Sequence, residues 1–153
     1  MTRFEITRTA QRRTHILTRG PDIVASLHVA HSRVPTGEID VDGRTWAIAG
    51  HPHRWWQIEV GDPKAPTLAF ERHHATVPGI EAPLPWELHG RLRHFHTTLG
   101  VAEQQITVDC AGLRLRHADA SVTGEWQHLG LTVLACFFAV LVRRRRGILL
   151  LST

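Results

Sequence analysis

Residues 129–142 read LGLTVLACFFAVLV, and four arginines, Arg143–Arg146, follow at once. No helical phase of this stretch presents a polar face. A helix apolar all round must be buried on every side, in protein or in lipid. Fourteen residues at 1.5 Å each span about 21 Å, short of the roughly 30 Å hydrocarbon core of a bilayer. Extending the span through the arginines to Leu151 would cost on the order of 10 kcal/mol, at about 2.5–3.5 kcal/mol per arginine near the bilayer centre. A conventional transmembrane span is therefore disfavoured, although a short tail anchor with snorkelling arginines remains as an alternative. The stretch predicts a core helix that needs a protein sheath.

Terminal signals put that helix at about 124–146. Thr123 stands where an N-cap belongs, Glu125 falls in the first turn, the arginines complement the negative end of the helix dipole, and Gly147 reads as a C-cap. Residues 148–151 are expected to return as a short strand.

Upstream the period changes from helical to two. Ile23, Ala25, Leu27 and Val29 are expected to share one face. Ile39 and Val41 alternate with Glu38, Asp40 and Asp42, and Asp42-Gly43 reads as a tight hairpin turn into Trp46 and Ile48. Trp56, Ile58 and Val60 continue the pattern, then Leu68 and Phe70, then Ile106, Val108 and Cys110, and finally Leu113 and Leu115 against Arg114 and Arg116. In that register Trp56 is a core residue and Trp55 points outward. Residues 77–85, with three prolines, read as a loop. Alternation of this kind means antiparallel sheet with one dry face. A sheet curled round the apolar helix satisfies both demands and leaves no open edge. The expected fold is a single mainly β domain, 1–153, an antiparallel barrel enclosing its C-terminal helix.

Many strands followed by one apolar helix through the barrel resembles the tubby C-terminal-like superfamily, which includes LURP-one-related and scramblase-like proteins. The strand pairs from Arg3 to His117 and the helix Leu129–Val142 with its arginine tail carry the resemblance, which is one of architecture. It implies a lipid-facing role, since tubby domains bind phosphoinositide headgroups and scramblase-like members act at membranes. It assigns no individual binding residue here.

Composition narrows the function classes. The 18 basic residues, 17 of them Arg, exceed the 14 acidic ones by 4, and the excess equals Arg143–Arg146. The rest of the chain is balanced, which argues against the distributed basic face of a nucleic-acid binder. Two cysteines, Cys110 and Cys136, exclude a disulfide framework and point to a reducing compartment. Residues 1–20 hold no continuous apolar stretch for a signal peptide. A cytoplasmic protein, peripheral at the inner face of the membrane, is the expectation.

No nucleophile elbow, phosphate loop or dinucleotide motif is present. His94 and His96, two apart, would lie on one side of a strand, so a metal-dependent enzyme built on this His-x-His pair is an alternative reading. The carboxylate that a cupin-type site wants soon after the second histidine is missing, however, and no cofactor is implied. The leading expectation is a non-enzymatic barrel module in which Arg143, Arg144, Arg145, Arg146 and Trp55 meet anionic phospholipid or a protein partner.

Overall fold

The computed structural model describes the chain except residues 12, 31–33, 92, 113–114 and 152–153, with backbone only at 91 and 146–151. Twelve strands are found among the described residues: β1 (Thr2–Arg8), β2 (Thr14–Arg19), β3 (Asp22–Val29), β4 (Thr36–Val41), β5 (Arg44–Gly50), β6 (Ile58–Asp62), β7 (Ala65–Phe70), β8 (His74–Thr76), β9 (Leu84–Arg91), β10 (His94–Val101), β11 (Gln104–Ala111) and β12 (His117–Thr123). A helix, α1 (Leu129–Leu151), follows them. Each strand pairs antiparallel with the next. β12 returns to β1 from Thr2↔Val122 to Thr7↔His117, which closes an up-and-down barrel.

Strand number explains the helix. Eight strands make a lumen that side chains alone can fill. Twelve strands about 4.8 Å apart and tilted about 40° give a backbone radius of about 12 Å. That leaves room for a helix about 10–12 Å across with its side chains. Every residue from Gly130 to Val140 is buried, three full turns with no open side. Val133, Phe137 and Phe138 have no exposed area, and Leu141 is half-buried. The inward residues Ile39, Ile48, Ile58, Leu68, Phe70, Leu99, Ile106 and Val108 form the sheath. The would-be tail anchor is thus the core of the barrel, and none of the described helices is long and apolar enough to cross a membrane.

The hairpin at Asp42-Gly43 forms as its sequence requires. Both residues take positive φ, 52° and 72°, the backbone of a two-residue turn matched to strand twist. Gly130 serves a different purpose. A β-carbon there would meet Val41, Val24 and Ala25 side chains at 3.3–3.5 Å, so the missing side chain lets the helix start close to β3 and β4.

Several expectations need correction. The helix begins at Leu129, five residues later than Gly124, because its supposed cap is engaged elsewhere. Thr123 Oγ1 donates to the Ala102 carbonyl (2.9 Å) and accepts from the Gln105 N–H (3.1 Å), tying the segment to the β10–β11 hairpin. Glu125 is consequently outside the first turn, where Thr132 N and Oγ1 both bond the His128 carbonyl, each at 3.0 Å. Gly147 does not end the helix, which runs on through residues 148–151 instead of yielding to a strand.

Ile23 is 69% exposed, because the register of β2 against β3 shifts between Leu17 and Thr18 and turns Ile23 outward. Trp55 and Trp56 are not strand residues. They sit in a turn closed by Gln57 N to Arg54 O (3.0 Å), and both are half-buried, so Trp56 is not core and Trp55 is not fully outside. The proline-rich 77–85 segment is shorter than expected, since β8 ends at Thr76, Val77 is buried and β9 starts at Leu84. Leu115 is buried as expected but lies outside any strand, at φ 45°. Leu113 and Arg114 fall outside the described residues.

Candidate functional site

In an up-and-down barrel the connections alternate between the two mouths. One mouth receives the β2–β3, β4–β5, β6–β7, β8–β9, β10–β11 and β12–α1 connections. Each of these holds or adjoins an acid: Asp22, Asp42, Asp62, Glu81, Glu103 and Glu125 in turn. Arg19, Arg44 and Lys64 share that end.

The opposite mouth is where the helix emerges. Its connections carry Arg13, Arg54, Arg72, Arg93 and Arg116, with Arg8 at the end of β1 and Arg143–Arg145 on the emerging helix. Glu71 is the sole acid among the described residues of those connections. The balance of charge along the chain therefore hides a separation in space, and the arginine run is one part of a larger basic surface.

Local contacts show how the mouth is assembled. Arg8 N bonds the Arg116 carbonyl (2.9 Å), Val29 N bonds the Arg13 carbonyl (2.8 Å), and Gly112 N bonds the Arg93 carbonyl (2.9 Å). The backbone of these basic residues is thus fixed while the side chains stay exposed. The Arg143 guanidinium lies 5.1 Å from the Trp55 ring centroid, and Arg54 lies 5.7 Å from that of Trp56. Trp55 also packs on the buried Trp86, with ring centroids 6.4 Å apart. Partial burial, and then the nearby Arg8, lower the pKa of Arg144 from its ordinary value.

None of Arg8, Arg13, Arg54, Arg72, Arg93, Arg116, Arg143 and Arg144 is in an ion pair; Arg145 has an interaction of its own. The side chain of Arg146 lies outside the described residues. Of the site residues expected from sequence, Arg143, Arg144, Arg145 and Trp55 meet at this mouth. The other five basic connections were missed. Counting charges along the chain cannot find them, whereas assigning each turn to one end of the barrel can.

No family model, no curated protein and no solved structure matches the chain. The barrel with its central helix agrees with the architectural resemblance, and membership of a family is not shown.

His94 and His96 do lie on one side of β10, on the outer wall. Both approach Asp109 of the neighbouring β11: His94 Nε2 is hydrogen-bonded to Asp109 Oδ1, and His96 Nδ1 is 3.7 Å from the same oxygen. The carboxylate that is missing soon after His96 in the sequence is supplied across the sheet, where β10–β11 pairing sets Asp109 opposite His96.

A second polar network spans β2 to β5. Thr14 Oγ1 is 3.1 Å from His28 Nδ1, and His28 Nε2 is 3.1 Å from Asp40 Oδ2, while Thr45 Oγ1 donates to Asp40 Oδ1. Ser26 Oγ also meets Nε2, at 3.3 Å, so serine and aspartate converge on one nitrogen and the imidazole cannot relay a proton between them. The network stitches four strands together on a half-exposed wall.

The cysteines are inert by position. Both are buried and unpaired, and burial pushes each thiol up to about 12.

Proposed function

We propose that this protein is a non-enzymatic binding module that docks its arginine-rich mouth on anionic phospholipid at the cytoplasmic face of a membrane. The observation that carries this reading is the set of arginines at one mouth that lack carboxylate partners. Isolated like charges held together by a rigid barrel are repelled from one another and are relieved by an anionic partner. Each basic residue near an anionic surface contributes about 1 kcal/mol, and the attraction decays over a Debye length of about 8 Å at physiological salt. The helix runs on past Arg143–Arg145 to Leu151 with no basic residue in its last turn, so these arginines attract an anionic surface by their own charge and not by covering the helix dipole. Trp55 and Trp56, half-buried beside the arginines, are of the type that settles at the level of lipid headgroups.

Sedimentation with vesicles tests the proposal. The protein is expected to pellet with phosphatidylserine-containing vesicles at low salt, to release as salt rises, and to ignore neutral vesicles. Arg54→Glu/Arg93→Glu/Arg116→Glu changes exposed connections only and is expected to abolish pelleting while the barrel stays folded. Equal behaviour with anionic and neutral vesicles overturns the lipid reading.

A further inference from the structure

We propose that the outer wall formed by β12 and β1 binds a divalent first-row transition metal through Glu5, His117 and Asp119, with Asp109 of β11 beside them. The register places Asp119 directly opposite both Asp109 and Glu5, so three carboxylates form a cross-strand row. All three point outward and are exposed. Like charges directly opposite one another across a sheet destabilise it. A chain with 17 arginines could have set one against this row, but among the described residues the ion-pair partners of Asp109 and Asp119 are histidines. Arg3, two residues before Glu5 on the same face, makes no such pair either.

The partners supplied are imidazoles, which are the commonest metal ligands. His94 and His96 attend Asp109, and His117 Nε2 stands 3.3 Å from Asp119 Oδ1. That separation matches the edge of a tetrahedron around a cation with bonds of about 2.0–2.1 Å, which is about 3.3 Å. Ligand atoms of Glu5, His117 and Asp119 all lie within 4.8 Å of one another. Glu5 therefore needs to close by at most about 1.5 Å, a rotamer adjustment for an exposed side chain.

One imidazole and two carboxylates form a mixed nitrogen–oxygen set with a position left for water. Zinc and its neighbours take such a set, while calcium and magnesium prefer oxygen alone. The donors stand on hydrogen-bonded strands, so their backbone is already in place before metal arrives. The three ligands lie on β12 and β1, next to the His94/His96 pair that holds the neighbouring Asp109, and the site does not depend on the lipid reading.

Calorimetric titration with Zn2+ of chelator-treated protein is the test, because twelve histidines offer a background that variants must separate. The wild-type chain is expected to bind one equivalent at micromolar affinity, undisturbed by millimolar Mg2+. Glu5→Gln/Asp119→Asn is expected to weaken binding at least tenfold. His51→Ala/His53→Ala, on a turn remote from these residues, is expected to leave it unchanged. Removing two carboxylates from a crowded row also raises the Tm of the metal-free double variant, and added Zn2+ raises the wild-type Tm but not the variant's. Equal affinity in the wild type and Glu5→Gln/Asp119→Asn, or loss of binding in His51→Ala/His53→Ala, overturns the proposal and leaves adventitious histidine binding.

Discussion

Acidification to pH 4.5 is expected to destabilise this barrel by about 2.5 kcal/mol through one side chain, His15, beyond whatever its other titrating groups contribute. The imidazole is 5% exposed, its Nδ1 has no hydrogen-bond partner, and its ring meets Phe137 of the helix edge-on, with centroids 4.9 Å apart. Burial first, and the Arg8 charge second, lower its pKa from 6.5 to about 4. Between those values the unfolded chain takes up a proton that the native barrel refuses. The unfolded state binds more protons there, so stability rises with pH across the window. The contribution is fully present above pH 6.5 and is lost as pH falls towards 4.

Each pH unit inside the window is worth about 1.36 kcal/mol, so the two units from 6.5 to 4.5 amount to about 2.5 kcal/mol after allowing for partial protonation of the native state. Against a total stability of about 5–15 kcal/mol this is a large fraction. Urea unfolding at pH 7.5 and 4.5, on the wild type and on His15→Leu, isolates the effect, because every other group is common to the two proteins and cancels in the comparison. The variant should lose about 2.5 kcal/mol less than the wild type. At pH 7.5 it should also be more stable by about 1 kcal/mol, having shed a buried unsatisfied polar atom. Equal losses in the two proteins would refute the reasoning.

Two further outcomes follow from the interior. Trp86 Nε1 donates to Thr97 Oγ1 (2.8 Å), which donates in turn to the Glu87 carbonyl (2.8 Å), all within the barrel wall. Thr97→Val is expected to cost about 1–3 kcal/mol in chemical denaturation by orphaning the indole N–H. Cys110 and Cys136, with thiols pushed up to about 12, should resist a thiol reagent in native buffer and react together once denaturant is added. Rapid labelling of either in the folded protein would contradict their burial.

The architecture was legible because two periods in the sequence complement each other. The run 129–142 demanded cover on all sides, and Ile39/Val41, Ile58/Val60 and Ile106/Val108 offered dry faces to supply it. What stayed hidden was decided by contacts distant in sequence. Thr123 reads as a cap until the β10–β11 hairpin claims its hydroxyl. Ile23 reads as core until the shifted register against β2 rotates it outward. Trp56 sits two residues before Ile58 and so extends the alternation on paper, yet the Arg54–Gln57 turn interrupts the strand before it. The Asp109 carboxylate was invisible to a search along β10 because pairing across strands, not spacing along one, brings it to His94 and His96.

Charge is the clearest case of topology creating a property that composition lacks. Without Arg143–Arg146 the chain has 14 basic and 14 acidic residues, and by that measure nothing distinguishes one surface from another. An up-and-down barrel sorts its turns by parity, however, so any bias that alternates from one turn to the next becomes a difference between two ends of one molecule. Here the acids Asp22, Asp42, Asp62, Glu81, Glu103 and Glu125 lie in or beside alternate connections, and Arg13, Arg54, Arg72, Arg93 and Arg116 occupy connections between them. The helix then matches the pattern, because its start lies at the acidic mouth and its arginines emerge at the basic one. A molecule polarised in this way turns its arginine mouth towards a negative surface before contact. Such steering weakens as ionic strength rises, even where the contact residues are untouched.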